Sequence, residues 1–162
     1  MDAWNTKQLF SSKKNEWGTP WALFHEVDQE FSFCLDAAAS KENAKCSEYF
    51  DQETDGLAQN WAEKTNKGAV WLNPPYGREI GLWVEKAHAE SLRGCCVVVL
   101  TFVRSDTKWW NQYAMKAAEI RLIPGRVSFG GSKNSAPAPS CLLIFDESRR
   151  LPHFSVQNLP RK

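Results

Sequence analysis

The sequence predicts an α/β protein with a mostly parallel sheet and helices on both faces, and three observations carry that expectation. Segments apolar enough to be strands alternate along the chain with segments of helical period. Residues 95–103, Cys-Cys-Val-Val-Val-Leu-Thr-Phe-Val, are apolar everywhere except Thr101, as a strand covered on both sides should be. A chain of 162 residues has room for one sizeable core, and not for a second domain of ordinary size.

Residues 1–15 are polar, carry Lys7, Lys13 and Lys14 in no clear period, and read as a flexible arm ahead of a single domain over 16–162. Thr19-Pro20 has the form of a helix start, Thr as N-cap and Pro at the first helical position, with Trp21, Phe24, Val27 and Phe31 following at roughly helical spacing. That helix is expected to end before Phe31, because residues 31–36 alternate like a strand and stop on the carboxylate of Asp36. A further short strand is expected over 46–50 and another over 69–72. Residues 79–92 carry Ile80, Trp83, Val84, Ala87 and Leu92 as an apolar stripe, with Gly94 as the stop. After the central strand come an expected helix over 106–118, a strand over 120–124 and a last strand over 141–145. The loop between those two, 130–139, holds two Gly and two Pro and forms no packed element.

The composition is globular, with 43% hydrophobic and 24% charged residues and a net charge of +1. That excludes a disordered tail or a strongly basic arm, so a polyanionic partner must be held by a local patch. Eight tryptophans exceed what a core of this size usually needs, and flat aromatic faces suit bases and planar ligands. Five cysteines without a C-x-x-C pair predict reduced thiols, no disulfide framework and no metal site. No apolar signal segment opens the chain, and its longest apolar stretch is too short for a bilayer, so it reads as a cytoplasmic monomer or weak homodimer.

In an α/β sheet, ligands bind beyond the carboxyl ends of the strands. Asp36, Asn73 and Arg104 each follow a predicted strand and should face one crevice. At its centre stands Asn73-Pro74-Pro75-Tyr76-Gly77. Two prolines have no N–H for a ladder, so the strand must stop at Asn73. An exocyclic amine on a base is a poor nucleophile because its lone pair is delocalised into the ring. Accepting both of its N–H protons lets the pair localise toward an electrophile. Asn73 offers an amide oxygen and Pro74 a main-chain carbonyl, whose direction Pro75 restricts. Tyr76 supplies a flat face, and Gly77 lets the backbone turn away.

The small electrophilic carbon such a pocket needs is usually supplied by S-adenosylmethionine. That cofactor carries no phosphate, and the chain has neither a Walker loop nor a G-x-G-x-x-G fingerprint, which also speaks against a nicotinamide dehydrogenase. Thr19 at a helix N-terminus suits its carboxylate, Asp36 its ammonium and Asp55 its adenine amine. Each has a plain structural alternative, as a cap or a turn residue.

Glu16-Trp-Gly-Thr-Pro20, Leu35-Asp-Ala-Ala-Ala-Ser40 with Asn43-Ala-Lys-Cys46, Asp55-Gly-Leu57 with Trp61, Asn73-Pro-Pro-Tyr-Gly77 and Gly125-Arg-Val-Ser-Phe129 follow one another over residues 16–146. In this order they resemble the phage and prophage type of DNA N-6-adenine methyltransferases. The resemblance implies a compact Rossmann-like S-adenosylmethionine-dependent methyltransferase fold acting on adenine in DNA, in the cytoplasm of a bacterial host. It implies Asn73, Pro74, Pro75 and Tyr76 as catalytic residues, and Trp17, Thr19, Pro20, Asp36, Ala37, Ala38, Asp55 and Asn73 around the cofactor. Two departures stand out: Asp-Ala-Ala-Ala-Ser replaces the glycine-rich cofactor turn, and about ten residues separate Asp36 from the next strand, a shortened first crossover.

A duplex adenine must be flipped out of the stack to reach such a pocket. Candidates to hold the strand meanwhile are Arg104, Lys108, Arg126 and Lys133, with Lys13 and Lys14 on the arm. RNA adenine, cytosine N4 and a protein glutamine amide present the same planar amine and are rival acceptors. A nucleic-acid-binding module without turnover is a rival of another class.

Overall fold

The structure, a computed structural model, describes residues 18–129, 136–149 and 153–159. The expected arm over 1–15, and most of the loop over 130–139, lie outside the described residues. The first helix, α1 (Trp21–Phe31), buries Leu23, Phe24, Val27 and Phe31 along one stripe. It ends where Ser32 turns left-handed at φ 55° and donates its N–H to the carbonyl of Asp28. Phe31 therefore belongs to the helix, and the strand expected over 31–36 shrinks to β1 (Leu35–Asp36). Thr19 is not the N-cap: Pro20 holds that position at φ −57°, ψ 133°, and no side chain caps the helix.

The strand expected over 46–50 reduces to one parallel bridge, Asp36 to Tyr49, closed by the N–H of Asp36 on Glu48 O and that of Phe50 on Asp36 O. A four-residue helix, α2 (Trp61–Lys64), was not foreseen; Asn60 caps it by accepting the N–H of Glu63. The buried carboxylate of Glu90 braces the same turn, accepting the N–H of Ala62 at 3.0 Å while pairing with Lys86 at 2.7 Å. This short helix is all the helical crossover between the first two strands.

Next come β2 (Ala69–Leu72), α3 (Ile80–Leu92) and β3 (Cys96–Phe102). Gly94, at φ 109°, makes the turn between the last two. The helix expected over 106–118 is broken at Tyr113, φ −123° and ψ −48°, into α4 (Lys108–Gln112) and a 3-10 turn over Ala114–Lys116. The chain closes with β4 (Glu119–Leu122), β5 (Ser140–Phe145) and β6 (Phe154–Val156), the last of which the sequence did not announce.

The six strands lie in the order β1-β2-β3-β5-β4-β6. Three neighbouring pairs are parallel, but β5 runs antiparallel to both β3 and β4, so the sheet is mixed. The reason is local: no described helix lies between β4 and β5, and without a helical crossover a strand returns antiparallel. Helices do cover both faces. Val70, Leu72, Val97, Val99 and Leu143 share one core with Trp61, Trp83, Val84 and Trp110 of α2, α3 and α4. Trp71, Val98, Leu100, Leu142 and Ile144 point the other way and pack on Leu23, Phe24 and Val27 of α1.

These directions bring the ends of β1, β2, β3 and β4, with the start of β5, to one edge. Among the described residues no helix is long and apolar enough to cross a membrane.

Candidate active site

The tetrapeptide stands where β2 ends. Pro74 and Pro75 are buried, Asn73 and Tyr76 are half-buried, and Gly77 at φ 141° turns the chain away toward α3. The Tyr76 hydroxyl lies 2.9 Å from Asn73 Oδ1 and 3.3 Å from the carbonyl oxygen of Leu100. Its one proton is donated to the nearer acceptor or shared between the two. The Tyr76 ring stacks on Phe102 with centroids 4.5 Å apart and planes 16° from parallel, and Phe129 meets it edge-on at 6.1 Å. Burial pushes the phenol far above its ordinary pKa, so the hydroxyl keeps its proton at physiological pH. The sequence assigned Tyr76 only a flat face. The structure adds a hydroxyl in contact with the amide beside it.

Asp36 closes β1 and is 3% exposed. Its carboxylate accepts the N–H of Lys45 at 3.0 Å and that of Ala38 at 3.4 Å. Burial outweighs those two bonds and the nearby Lys45 charge, and the carboxyl is pushed up from 3.8 to about 7. Lys45 reaches back to place its ammonium 3.9 Å over the ring of Trp21, so the loop that holds Asp36 touches the start of α1. Thr19, next to that start, is buried.

A cavity of about 320 Å³ opens against Pro75. Phe50, Leu57 and Trp83 supply apolar walls, and Asp51, Asp55 and Glu79 supply carboxylates; among the described residues no Lys or Arg lines it. The loop bearing Asp51 and Asp55 is built tightly. Asp51 Oδ1 accepts the N–H of Glu53 and both the N–H and hydroxyl of Thr54, and the Trp61 indole N–H ties Gly56 O at 2.7 Å. Gly56 has to be glycine, since a Cβ there would collide with the carbonyl oxygen of Ala37 and press within 3.2 Å of the Trp83 ring. Gly56→Ala is accordingly expected to lower the unfolding free energy by about 1–3 kcal/mol, read from denaturant midpoints, and to deform the cavity floor.

Thus Ala38, Asp55 and Pro75 line the cavity; Asp36 and Ala37 precede Ala38 in the chain, and Asn73, Pro74 and Tyr76 flank Pro75 without lining it. Trp17 and Lys133, with Lys13 and Lys14, lie outside the described residues. Pro20 sits at the start of α1 and does not line the cavity. Arg104, Lys108 and Arg126 are exposed beyond the strand ends, and Arg104 is already paired with Asp106 at 3.2 Å. Sequence reasoning gave no role to Asp51, Glu79, Trp83, Phe102 and Phe129. Asp51 had a signal: it follows a short extended segment just as Asp36 does. Among the described residues no cluster of His, Cys, Asp or Glu is placed to hold a metal ion.

This geometry defines an α/β protein whose strand-edge site sets amide and carbonyl acceptors beside a cavity lined by carboxylates. The chain belongs to the DNA N-6-adenine-methyltransferase (Dam) family, whose sequence pattern matches residues 6–161. It is similar to a DNA N-6-adenine-methyltransferase of Haemophilus phage HP1, 30% identical over 162 residues, covering 95% of this chain and 88% of that protein. A DNA N-6-adenine-methyltransferase of Escherichia phage T1 is 33% identical over 105 residues, 64% of this chain and 42% of that protein. A putative methyltransferase, YfdM, of Escherichia coli K12 is 38% identical over 65 residues, 38% of this chain and 71% of that protein.

Proposed function

We propose that the protein transfers a methyl group from S-adenosylmethionine to the N6 amine of adenine in DNA. The observation that carries this reading is the adjacency of the Asn73–Tyr76 acceptors to a cavity that, among the described residues, is lined by three carboxylates and no cation. Such a lining repels phosphate, which disfavours nucleotide cofactors, and suits a ligand that is cationic and carries ribose hydroxyl donors. The volume of about 320 Å³ fits a nucleoside-sized group. Family membership and the names of the phage relatives support the same acceptor.

When bound, that cofactor supplies a methyl carbon made electrophilic by its sulfonium. The chain does the rest by position. Asp36 takes the ammonium, Asp51 and Glu79 accept from ribose hydroxyls, and Asp55 accepts from the adenine amine, against Trp83 and Leu57 as apolar walls. The target adenine enters at the strand edge, flipped from its stack. Asn73 Oδ1 accepts one amine N–H, and the Pro74 carbonyl accepts the other. The amine lone pair is thereby localised toward the methyl. Neither acceptor is a base, so the proton surplus on the methylated nitrogen goes to solvent. Lys108 and Arg126, and Arg104 once released from Asp106, contact the DNA backbone.

Offering the protein methyl-labelled S-adenosylmethionine with unmethylated DNA, RNA of matched sequence and a mixed protein acceptor tests this. Label in DNA above both others is expected. Label confined to RNA or protein would contradict the choice of acceptor, and binding of the cofactor with no transfer to any of the three would point to a binding module.

A further inference from the structure

Phe102 is the last residue of β3 and is only partly buried, although its ring sits beside the tetrapeptide. It is held there from both sides in sequence: Phe102 pairs with Ser140 in the antiparallel ladder, and the next N–H, from Val103, is donated to Pro139 O at 2.9 Å. Its ring takes one face of Tyr76, with 4.5 Å between centroids and 16° between planes. Phe129 closes on both rings edge-on, at 6.1 Å from Tyr76 and 6.3 Å from Phe102. Two independent restraints therefore hold one orientation of Tyr76, the stack below and the hydroxyl contacts to Asn73 Oδ1 and Leu100 O at its tip.

We propose that Phe102 is a positioning residue for the target base: it pre-stacks Tyr76 so that adenine meets a fixed ring on the face Phe102 leaves uncovered, with the tyrosine hydroxyl already set against Asn73. This rests on the function proposed above. A tyrosine on a loop after two prolines and before a glycine would otherwise have to be immobilised when the base arrives, at a cost in side-chain freedom. Stacking it in advance moves that cost to folding. Because the hydroxyl contact depends on the ring plane, a tilt of Tyr76 also disturbs Asn73, the group that accepts the amine proton. The loss is thus expected in both base binding and turnover, and in neither cofactor binding nor overall folding.

The test compares Phe102→Leu, Phe102→Trp and wild-type protein on a DNA duplex containing adenine, and on one in which 2-aminopurine replaces the adenine that wild-type protein is found to methylate. An aromatic pair of this geometry is worth about a three- to tenfold effect per step. Phe102→Leu is therefore expected to raise KM for DNA and lower kcat each by about that factor, with unchanged affinity for S-adenosylmethionine and a smaller 2-aminopurine fluorescence change on binding. Phe102→Trp, which keeps a stacking face, should recover most of both. Wild-type rates and fluorescence in Phe102→Leu, or turnover faster than wild type, would overturn the proposal; so would equal losses in the Leu and Trp variants. Failure of wild-type protein to methylate DNA at all would instead sink the function on which it rests.

Discussion

Asn73→Ala is expected to lower kcat for methyl transfer by about a hundred- to a thousandfold, or roughly 3–4 kcal/mol, while affinity for S-adenosylmethionine stays within about twofold of wild type. The variant removes one of the two acceptors proposed to localise the amine lone pair and leaves Pro74, the Pro75 wall and the carboxylates in place. It also strips the Tyr76 hydroxyl of its nearer partner, but Leu100 O, 3.3 Å away, still accepts that proton, so no buried donor is orphaned. Single-turnover rates with saturating cofactor separate this from a binding defect. Turnover near the wild-type rate would remove Asn73 from the chemistry.

The second large effect belongs to Asp36. Its folded-state carboxyl stands at about 7 against 3.8 unperturbed, so the fold favours the protonated form. The stability this contributes is complete below about pH 4 and is lost as pH rises toward 7, about 4 kcal/mol for a difference of roughly three pK units. Other groups act in the opposite sense. Arg121, hydrogen-bonded to Glu30, holds that carboxyl below its usual range, and its contribution is lost on acidification. The quantity to measure is therefore the difference between wild type and Asp36→Asn, which should widen in favour of the variant between pH 4 and 8. Cofactor binding should run the other way. If the ionised carboxylate receives the ammonium, wild-type affinity rises about tenfold from pH 6 to 8, as the ionised fraction rises from about a tenth to about nine-tenths. Asp36→Asn should lose on the order of a hundredfold at pH 8 and show no such slope. Parallel pH profiles of cofactor affinity in the two proteins would contradict the role given to Asp36.

Much of this site is legible along the chain because its chemistry sits at strand ends. Apolar runs followed by Asp36, by Asn73 and by Arg104 mark three carboxyl ends, and parallel pairing of β1, β2 and β3 brings them to one edge. What escapes is set by tertiary contact. The strand over 46–50 survives as a single bridge to Asp36, followed by one further bond from the N–H of Ala39 to Phe50 O. Thr19 does not cap its helix, because Pro20, extended at ψ 133°, holds the cap position. Asp51 comes from one segment and Glu79 and Trp83, a helical turn apart at the start of α3, from another, and no spacing rule joins the two segments. The reversal of β5 was readable in principle: a loop rich in Gly and Pro cannot supply the helix that a parallel return requires. Phe102 looked like the tail of a buried strand, and only its place over Tyr76 gives it another part.

The proposed function is tested most directly by digesting DNA labelled by this protein to nucleosides and identifying the one that carries the methyl group. Label in N6-methyldeoxyadenosine, absent from a parallel reaction with Asn73→Ala, is the expected result. Label in N4-methyldeoxycytidine or 5-methyldeoxycytidine, or an undiminished yield from Asn73→Ala, would contradict it.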